Sequence, residues 1–328
     1  MKAARILRPG GPEVLEVIEV ESPEAGPGQV LVDVRCTALN RADLLQRRGQ
    51  YPPPAGVRPD IPGLEYSGIV SNVGTGVDEA AVGSWVMGLL PGAGYAEQIV
   101  APYDQTLALP EDMEFSGGAA IPEAFSTAWD ALQQAGFLSG MSVLIHAAGS
   151  GVGTAALQLT RAFGASRVYA TASKAKLDAL ASRELPLDVP IDYREQAFRD
   201  VIRRETGGKG VDIILDLVGA SYWTDNLASL AVGGRIVLIG LMGGITAQTN
   251  LGVLLRRRLR VIGTVMRSRS DDEKRTIADQ VRTDLLPLFA SGRLQPVVHR
   301  VFALEEVAEA HQYMEENRNT GKIVLRVS

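Results

Sequence analysis

The sequence predicts an α/β fold in which a doubly wound parallel sheet is inserted into a β-rich domain. Three observations carry this. Between residues 122 and 264, short continuous apolar runs alternate with helical patterns, as in a parallel sheet covered on both faces. Between residues 1 and 121, short apolar runs are bounded by Gly, Pro, Asn and Asp, the punctuation of strands and turns. Residues 265–328 are few for a core of their own, so they are expected to rejoin the first lobe. The expected domains are therefore 1–121 with 265–328, and 122–264, with a cleft between two lobes.

The elements follow in order. In the first lobe, Val30–Val34 and Ser67–Val70 read as strands, and Tyr51-Pro52-Pro53-Pro54 as a stiff extended loop. A helix over Ala124–Gln134 leads into the strand Ser142–His146. A Gly-rich turn, a helix over Thr154–Phe163, a second strand Arg167–Thr171 and a helix over Lys174–Ala181 come next. Val211–Asp216, Arg235–Ile239 and Leu259–Ile262 supply further strands. A helix over Asp272–Leu288, another around Leu304–His311 and a last strand Lys322–Val327 complete the chain.

Composition narrows the class. Of 328 residues, 46% are hydrophobic and 22% charged, the balance of a folded globular protein. A net charge of −5 argues against nucleic acid or an anionic membrane as partner. The single cysteine, Cys36, excludes an internal disulfide and a zinc site built from clustered cysteines, and reads as a small buried hydrophobe. The first ten residues lack the apolar centre of a signal peptide, and no apolar run reaches the ~18 residues of a membrane span. A soluble cytoplasmic enzyme is expected.

Ala147-Ala148-Gly149-Ser150-Gly151-Val152-Gly153 lies between a strand and a helix, where a dinucleotide-binding fold places its pyrophosphate. Glycines admit the backbone to the ligand, and the helix N-terminus binds the anion. Thr154 stands where a third glycine of G-x-G-x-x-G would be, and tight turns also use glycine for structure only. An NAD site places an acid at the end of the second strand for the ribose 2′-hydroxyl. Here the strand runs into Thr171-Ala172-Ser173-Lys174-Ala175-Lys176, a hydroxyl and two ammonium groups suited to a 2′-phosphate. NADPH is therefore the expected cofactor. Reading both lysines as a solvated first helical turn explains them but not the missing acid.

This layout and these motifs resemble the medium-chain dehydrogenase/reductase superfamily over nearly the whole chain. The resemblance implies a Rossmann sheet inserted into a GroES-like catalytic domain. Zinc alcohol dehydrogenases of that superfamily carry Cys-His-x-Asp and Gly-His-Glu segments and four cysteines in a structural loop. The matching stretches are Leu39–Leu44 and Gly63–Gly68, where Asn40 replaces the Cys and Leu64 the His; Cys36 falls four residues early. No metal is therefore expected. Ala38-Leu39-Asn40-Arg41-Ala42-Asp43, Gly49-Gln50-Tyr51, Ala120-Ile121-Pro122-Glu123-Ala124, Ser150–Ala156, Gly240–Gly244 and Asn319–Val324 resemble the zinc-independent quinone oxidoreductases, most closely their tumour-suppressor-induced animal subgroup. This implies an NADPH-dependent reductase of quinones and a homodimer.

The resemblance also implies roles. Asn40 and Tyr51 line the catalytic pocket beside the nicotinamide, with Thr127 near the same end. Gly149, Ser150, Gly151 and Val152 form the pyrophosphate turn. Ser173 and Lys176 meet the 2′-phosphate, although the family's usual Gly before that Ser is absent. Tyr193 stacks near the adenine ribose, and Arg318 reaches the phosphate from the other lobe. Val218, Gly240, Leu241, Met242, Val265 and Met266 complete the cofactor contacts. Plainer readings stand beside these: Tyr51 packing a loop, Asn40 capping a helix that starts at Arg41, Tyr193 as a surface aromatic, and His146 as structural. His299 and His311 have no metal-ligand spacing. Arg256-Arg257-Arg258 reads as a solvated helix end or dimer rim, or else a nucleic-acid contact.

Without a metal's Lewis acidity, alcohol oxidation is disfavoured, whereas quinones are already electrophilic. Hydride reduction of a quinone is the expected reaction. The alternatives are reduction of an enone or enal double bond, and a low-activity NADPH-binding protein that binds RNA.

Overall fold

The computed structural model describes residues 1–327 and divides into two compact units, residues 1–126 with the chain from Met266 onward, and Thr127–Val265. The elements up to the second unit are β1 (Lys2–Ile6), β2 (Leu15–Glu19), β3 (Gln29–Ala38), α1 (Arg41–Arg47), β4 (Glu65–Val73), β5 (Trp85–Leu89), β6 (Gln98–Pro102), β7 (Leu107–Ala108), α2 (Phe115–Gly118) and α3 (Pro122–Gln134). The second unit continues with β8 (Ser142–Ile145), α4 (Gly151–Ala162), β9 (Arg167–Ala172), α5 (Lys174–Ala181), β10 (Val189–Asp192), α6 (Phe198–Glu205), β11 (Val211–Asp216), α7 (Trp223–Ser229), β12 (Leu230–Leu238), α8 (Leu251–Arg257) and β13 (Arg260–Gly263). The remaining elements are α9 (Asp271–Gln280), α10 (Leu286–Ala290), β14 (Val298–Ala303), α11 (Val307–Glu315) and β15 (Lys322–Arg326).

The second unit is built on six parallel strands in the order β10-β9-β8-β11-β12-β13. Val143, Leu144, Ile145, Ile213, Ile214, Leu215, Ile236 and Val237 are wholly buried, which is why these strands read as continuous apolar runs. The chain order reverses at β8, and the carboxyl ends of strands at such a switch point are where open α/β sheets bind ligands. Four elements of this unit escape the sequence reading: β10, α6, α7 and α8. β10 is four residues long and contains Pro190, so neither length nor pattern marks it. α6 buries only Phe198, Val201 and Ile202 of its eight residues. α4 starts at Gly151, three residues before the expected Thr154, because glycines at its start hide the helix.

In the first unit, β14-β15-β3-β4-β5-β7 form one sheet, with β6 also on β3. β15 lies antiparallel beside β3, pairing Val324 with Ala38. Val30, Val32, Val34, Tyr66 and Ile99 fill one core; Leu39, Leu44, Tyr95, Phe302, Val307 and Leu325 fill another. Gly63 has φ +107°, and a Cβ there would lie 2.7 Å from the Tyr95 backbone nitrogen, so only glycine fits. The helix expected over Asp272–Leu288 is interrupted: a π-helical turn spans Val281–Leu285 before α10. Pro287 lacks the N–H that a continuous α-helix would use there. Among the described residues, no helix is long and apolar enough to cross a membrane.

Candidate active site

In the second unit, the chain leaves β8 through His146 and enters a tight turn in which Ala147 has φ +49°. Ser150 is the N-cap of α4, its hydroxyl accepting the Gly153 N–H at 3.0 Å. A Cβ at Gly153 would lie 2.5 Å from the Ala147 carbonyl, so the helix can start this close to the strand only with glycine. The Lys176 side chain lies across the turn: a Cβ at Gly149 would fall 2.8 Å from its Cδ. Gly149, Ser150, Gly151, Val152 and Lys176 thus meet at the N-terminus of α4. Ser173 is the N-cap position of α5, with a hydroxyl that makes no cap bond. Lys174 is separated from this group, its ammonium held by Asp178 at 2.9 Å on an exposed helix face.

A carboxylate that the sequence reading missed also stands at this corner. Asp192 ends β10, is paired with Ala172 of β9, and accepts the backbone N–H groups of Lys174 at 3.1 Å and Arg194 at 3.0 Å. The acid comes from the third strand, so inspecting the end of the second could not reveal it. Tyr193 follows, 46% exposed, with Arg194 beside its ring.

Beneath the turn runs a buried polar chain. Asp216 accepts the N–H groups of Val218 at 2.7 Å and Gly219 at 3.0 Å, and the Asn226 amide at 3.0 Å. His146 lies 2.7 Å from Asn226 Oδ1 through Nε2 and 2.8 Å from the Thr171 hydroxyl through Nδ1. Burial pushes His146 down to about 4, so the ring is neutral, with Nε2 donating to Asn226 and Nδ1 accepting from Thr171. His146 is therefore a structural link. Val218 in turn ties to the segment after β12, its carbonyl accepting the Gly243 N–H at 2.7 Å. Gly240 packs against Leu217, while Leu241 and Met242 are about half exposed. Val265, at the end of this unit, is also exposed. Thr127 contributes a buried hydroxyl with no hydrogen-bond partner. The Arg run at the end of α8 is not simply solvated: Arg257 caps α7, donating to the Leu227 and Ala228 carbonyls at 3.0 Å.

In the first unit, Asn40 stands at the N-cap position of α1, and Asp43 accepts its backbone N–H at 2.7 Å. The Asn40 amide nitrogen donates to Glu65 at 2.9 Å, and its oxygen accepts from Lys322 at 2.7 Å. Lys322 Nζ also meets Glu65 at 2.7 Å and the Leu39 carbonyl at 2.8 Å. The other Glu65 oxygen accepts the backbone N–H of Glu123 at 2.8 Å. Glu65 and Lys322 are buried, so their charges are paired away from water. Asp43 also accepts from the Gly63 N–H at 3.1 Å and the Tyr95 hydroxyl at 3.0 Å; burial nevertheless pushes its carboxyl up to about 6. Tyr51, partly buried, has the Arg267 guanidinium 5.1 Å from its ring, and Arg267 donates to the Tyr51 carbonyl at 3.1 Å and to Gln46 at 2.7 Å. Burial raises the Tyr51 hydroxyl, which therefore stays protonated. Arg267, Lys322, Glu65 and Glu123 were not singled out by the sequence reading; a lone Arg or Lys far along the chain carries no local signal. Met266 is buried, and Arg318, after α11, contacts Glu316 and lies 4.3 Å over the Tyr313 ring.

These residues fit a dinucleotide: a helix N-terminus opened by glycines for the pyrophosphate, and an unpartnered buried hydroxyl at Thr127. They do not fit a zinc ion at the Asn40–Leu64 position. Leu64 offers hydrocarbon, and the Asn40 oxygen is taken by an ammonium group, which a second cation would have to displace. No group of three or more His, Cys, Asp or Glu side chains is placed to hold a metal among the described residues.

Residues 185–325 match the zinc-binding dehydrogenase family, and residues 26–111 match the alcohol dehydrogenase GroES-like domain. The chain is 35% identical over 320 residues to the synaptic vesicle membrane protein VAT-1 homolog of Rattus norvegicus, covering 92% of this chain and 78% of that protein. It is similar to the crystal structure of an NAD-dependent alcohol dehydrogenase, with 34% identity, full coverage of both chains and a TM-score of 0.87. It is likewise similar to the quinone oxidoreductase of Pseudomonas syringae pv. Tomato DC3000, with 30% identity, 99% of each chain covered and a TM-score of 0.87.

Proposed function

The chain belongs to the quinone oxidoreductase branch of the medium-chain dehydrogenase/reductase superfamily, and on that premise we propose that it is an NADPH-dependent, zinc-independent reductase of quinones. A nicotinamide dinucleotide cofactor and an oxidoreductase activity come with the family; the phosphate preference and the acceptor are our reading. The observation that supports it most is Lys176 lying across Gly149, which puts an ammonium stem over the pyrophosphate turn, with the uncommitted Ser173 hydroxyl at the neighbouring helix start.

When bound, the reduced dinucleotide supplies the hydride. Gly149–Val152 and the α4 N-terminus hold its pyrophosphate, Val218 and Gly240–Met242 border it, and Thr127 offers its hydroxyl at the nicotinamide end. Ser173 and Lys176 take the 2′-phosphate, Tyr193 the adenosine side, and Val265, Met266 and Arg318 complete the contacts. Asn40 and Tyr51 orient the acceptor, and the Tyr51 hydroxyl donates to the oxygen on which charge develops. Lys322 and Glu65 lock the Asn40 amide, so it is preorganised. The protein acts as a homodimer in the cytoplasm.

Calorimetry with NADPH and NADH, followed by NADPH consumption with 1,2- and 1,4-quinones and with enals, tests this. At least tenfold tighter NADPH binding with quinone turnover is expected. Turnover of enals alone would transfer the reading to a double-bond reductase. A second reading of the cofactor is favoured by Asp192, a carboxylate at the corner where an NAD site holds the ribose hydroxyl; NADH preference would establish it.

A further inference from the structure

Three carboxyl groups, Asp43, Glu65 and Glu123, share the first unit's polar cluster with two cations, Lys322 and Arg267. Their hydrogen bonding is unequal. Glu65 takes donors from Asn40, Lys322 and the Glu123 backbone. Asp43 takes donors from the Asn40 and Gly63 backbones and from Tyr95. The Glu123 carboxyl receives none among the described residues, although its own backbone N–H serves Glu65. The cations are committed elsewhere, Lys322 to Asn40, Glu65 and Leu39, and Arg267 to Pro91, Tyr51 and Gln46. Burial and then Glu65, with Asp43 adding to them, disfavour the Glu123 charge, while Lys322 and Arg267, whose hydrogen bonds go elsewhere, favour it. Like charges crowded this way keep one member protonated. The side chain is only partly buried, so water can reach it, and its charge is felt at the Tyr51 hydroxyl.

We propose that Glu123 is the proton donor of the reduction. This rests on the reductase reading above. The acceptor gains two electrons with the hydride from the reduced nicotinamide dinucleotide. The Glu123 O–H bond breaks, its proton forms the product's new O–H or C–H bond, and the carboxylate left behind regains a proton from water. Burial, reinforced by Glu65, pushes the carboxyl up to about 8, so it is mainly neutral at pH 7 and loses its proton above pH 8. A hydroquinone anion can take its proton from water, whereas an enolate needs one delivered to carbon. The demand on Glu123 is thus greater for an enal than for a quinone.

Glu123→Gln keeps the shape and removes the acid. The test measures kcat/KM from pH 6 to 10 with NADPH and an enal or a 1,4-quinone, for wild type and variant. It also follows the urea midpoint of both proteins, without cofactor, over the same range. The wild-type rate is expected to fall above about pH 8, and the variant to lose about 100-fold on the enal, with less on the quinone and no such basic limb. In the unfolded chain Glu123 ionises near its ordinary value, while the native state holds the proton to about 8. Native stability contributed by this group therefore falls as pH rises through that window, and the variant should lack that fall. A variant that keeps wild-type enal activity and its basic limb overturns the proposal, as does a wild-type urea midpoint with no more pH dependence than the variant's. A wild type that reduces no acceptor, yet shows the stability difference, overturns the reductase reading and the donor role with it, while leaving Glu123 as a neutral acid.

Discussion

In the second unit, Asp216 is buried with three donors around it, and the chain from Asn226 through His146 to Thr171 carries no further charge. In the first unit, Asp43, Glu65 and Glu123 are gathered around Lys322 and Arg267. The first arrangement matches every donor to an acceptor and can only hold backbone in place, here the Val218–Gly219 segment beside the pyrophosphate turn. The second sets three carboxyls against two cations and leaves the Glu123 carboxyl without a donor, so burial favours a proton there. A balanced buried network positions, and an unbalanced one titrates. Each of the following experiments breaks or sharpens that contrast.

Lys322→Met should have the largest effect. It strips the cation from Glu65 and Asn40 and should cost about 3–5 kcal/mol, the usual penalty for a buried ion left without its partner. Urea denaturation reads this, and adding Glu65→Gln should restore a large part of it. An unchanged midpoint in the single variant would mean that Glu65 is not ionised in the native state.

The two buried histidines give the next effect. Burial holds His146 at about 4; burial and then Arg47 hold His311 at about 3, whereas both titrate near 6.5 when unfolded. The unfolded chain thus binds more protons between these values, so stability from the neutral rings is complete above about 6.5 and lost as pH falls towards 4 and 3. At about 1.4 kcal/mol per unit, His146 accounts for about 3 kcal/mol and His311 for about 5 kcal/mol over their windows. His146→Gln and His311→Gln should each flatten the acid limb of a stability–pH curve. Should neither do so, neither ring is held neutral by the fold.

Asp216→Asn should cost about 2 kcal/mol, because the amide cannot accept as many donors as the carboxylate. It should also weaken NADPH binding in calorimetry by loosening the Val218 segment. Lys176→Met should have the smallest effect on stability while raising the NADPH Kd about tenfold, equivalent to about 1.4 kcal/mol, and leaving NADH unchanged. Equal losses for both cofactors would assign Lys176 to the pyrophosphate instead.

The contrast also explains what could be read from the residues in advance. The second unit's strands, the turn at Gly149–Gly153 and the Ser150 cap are local patterns, and they appear where alternation and glycine spacing place them. The start of α4 and the short strand β10 were obscured, by helix-initial glycines in one case and by Pro190 in the other. Asp192 was overlooked because it reaches the α5 N-terminus from a strand whose existence was itself not visible. In the first unit, Asn40 and Tyr51 were legible from motifs, but their partners were not: Lys322 meets Asn40 across 282 positions of sequence.

The sequence by itself determined the parallel sheet, the anion-binding turn and the absence of metal-binding side chains at Asn40 and Leu64, because periodicity, glycine spacing and side-chain chemistry are properties of neighbouring residues. Only the tertiary structure decided that Lys322 fills the Asn40–Glu65 corner, that Arg267 backs Tyr51, and that Glu123 is the carboxyl left without donors. Charge–charge energy depends on distance and on exclusion of water, and both are set by packing residues that lie far apart in the chain.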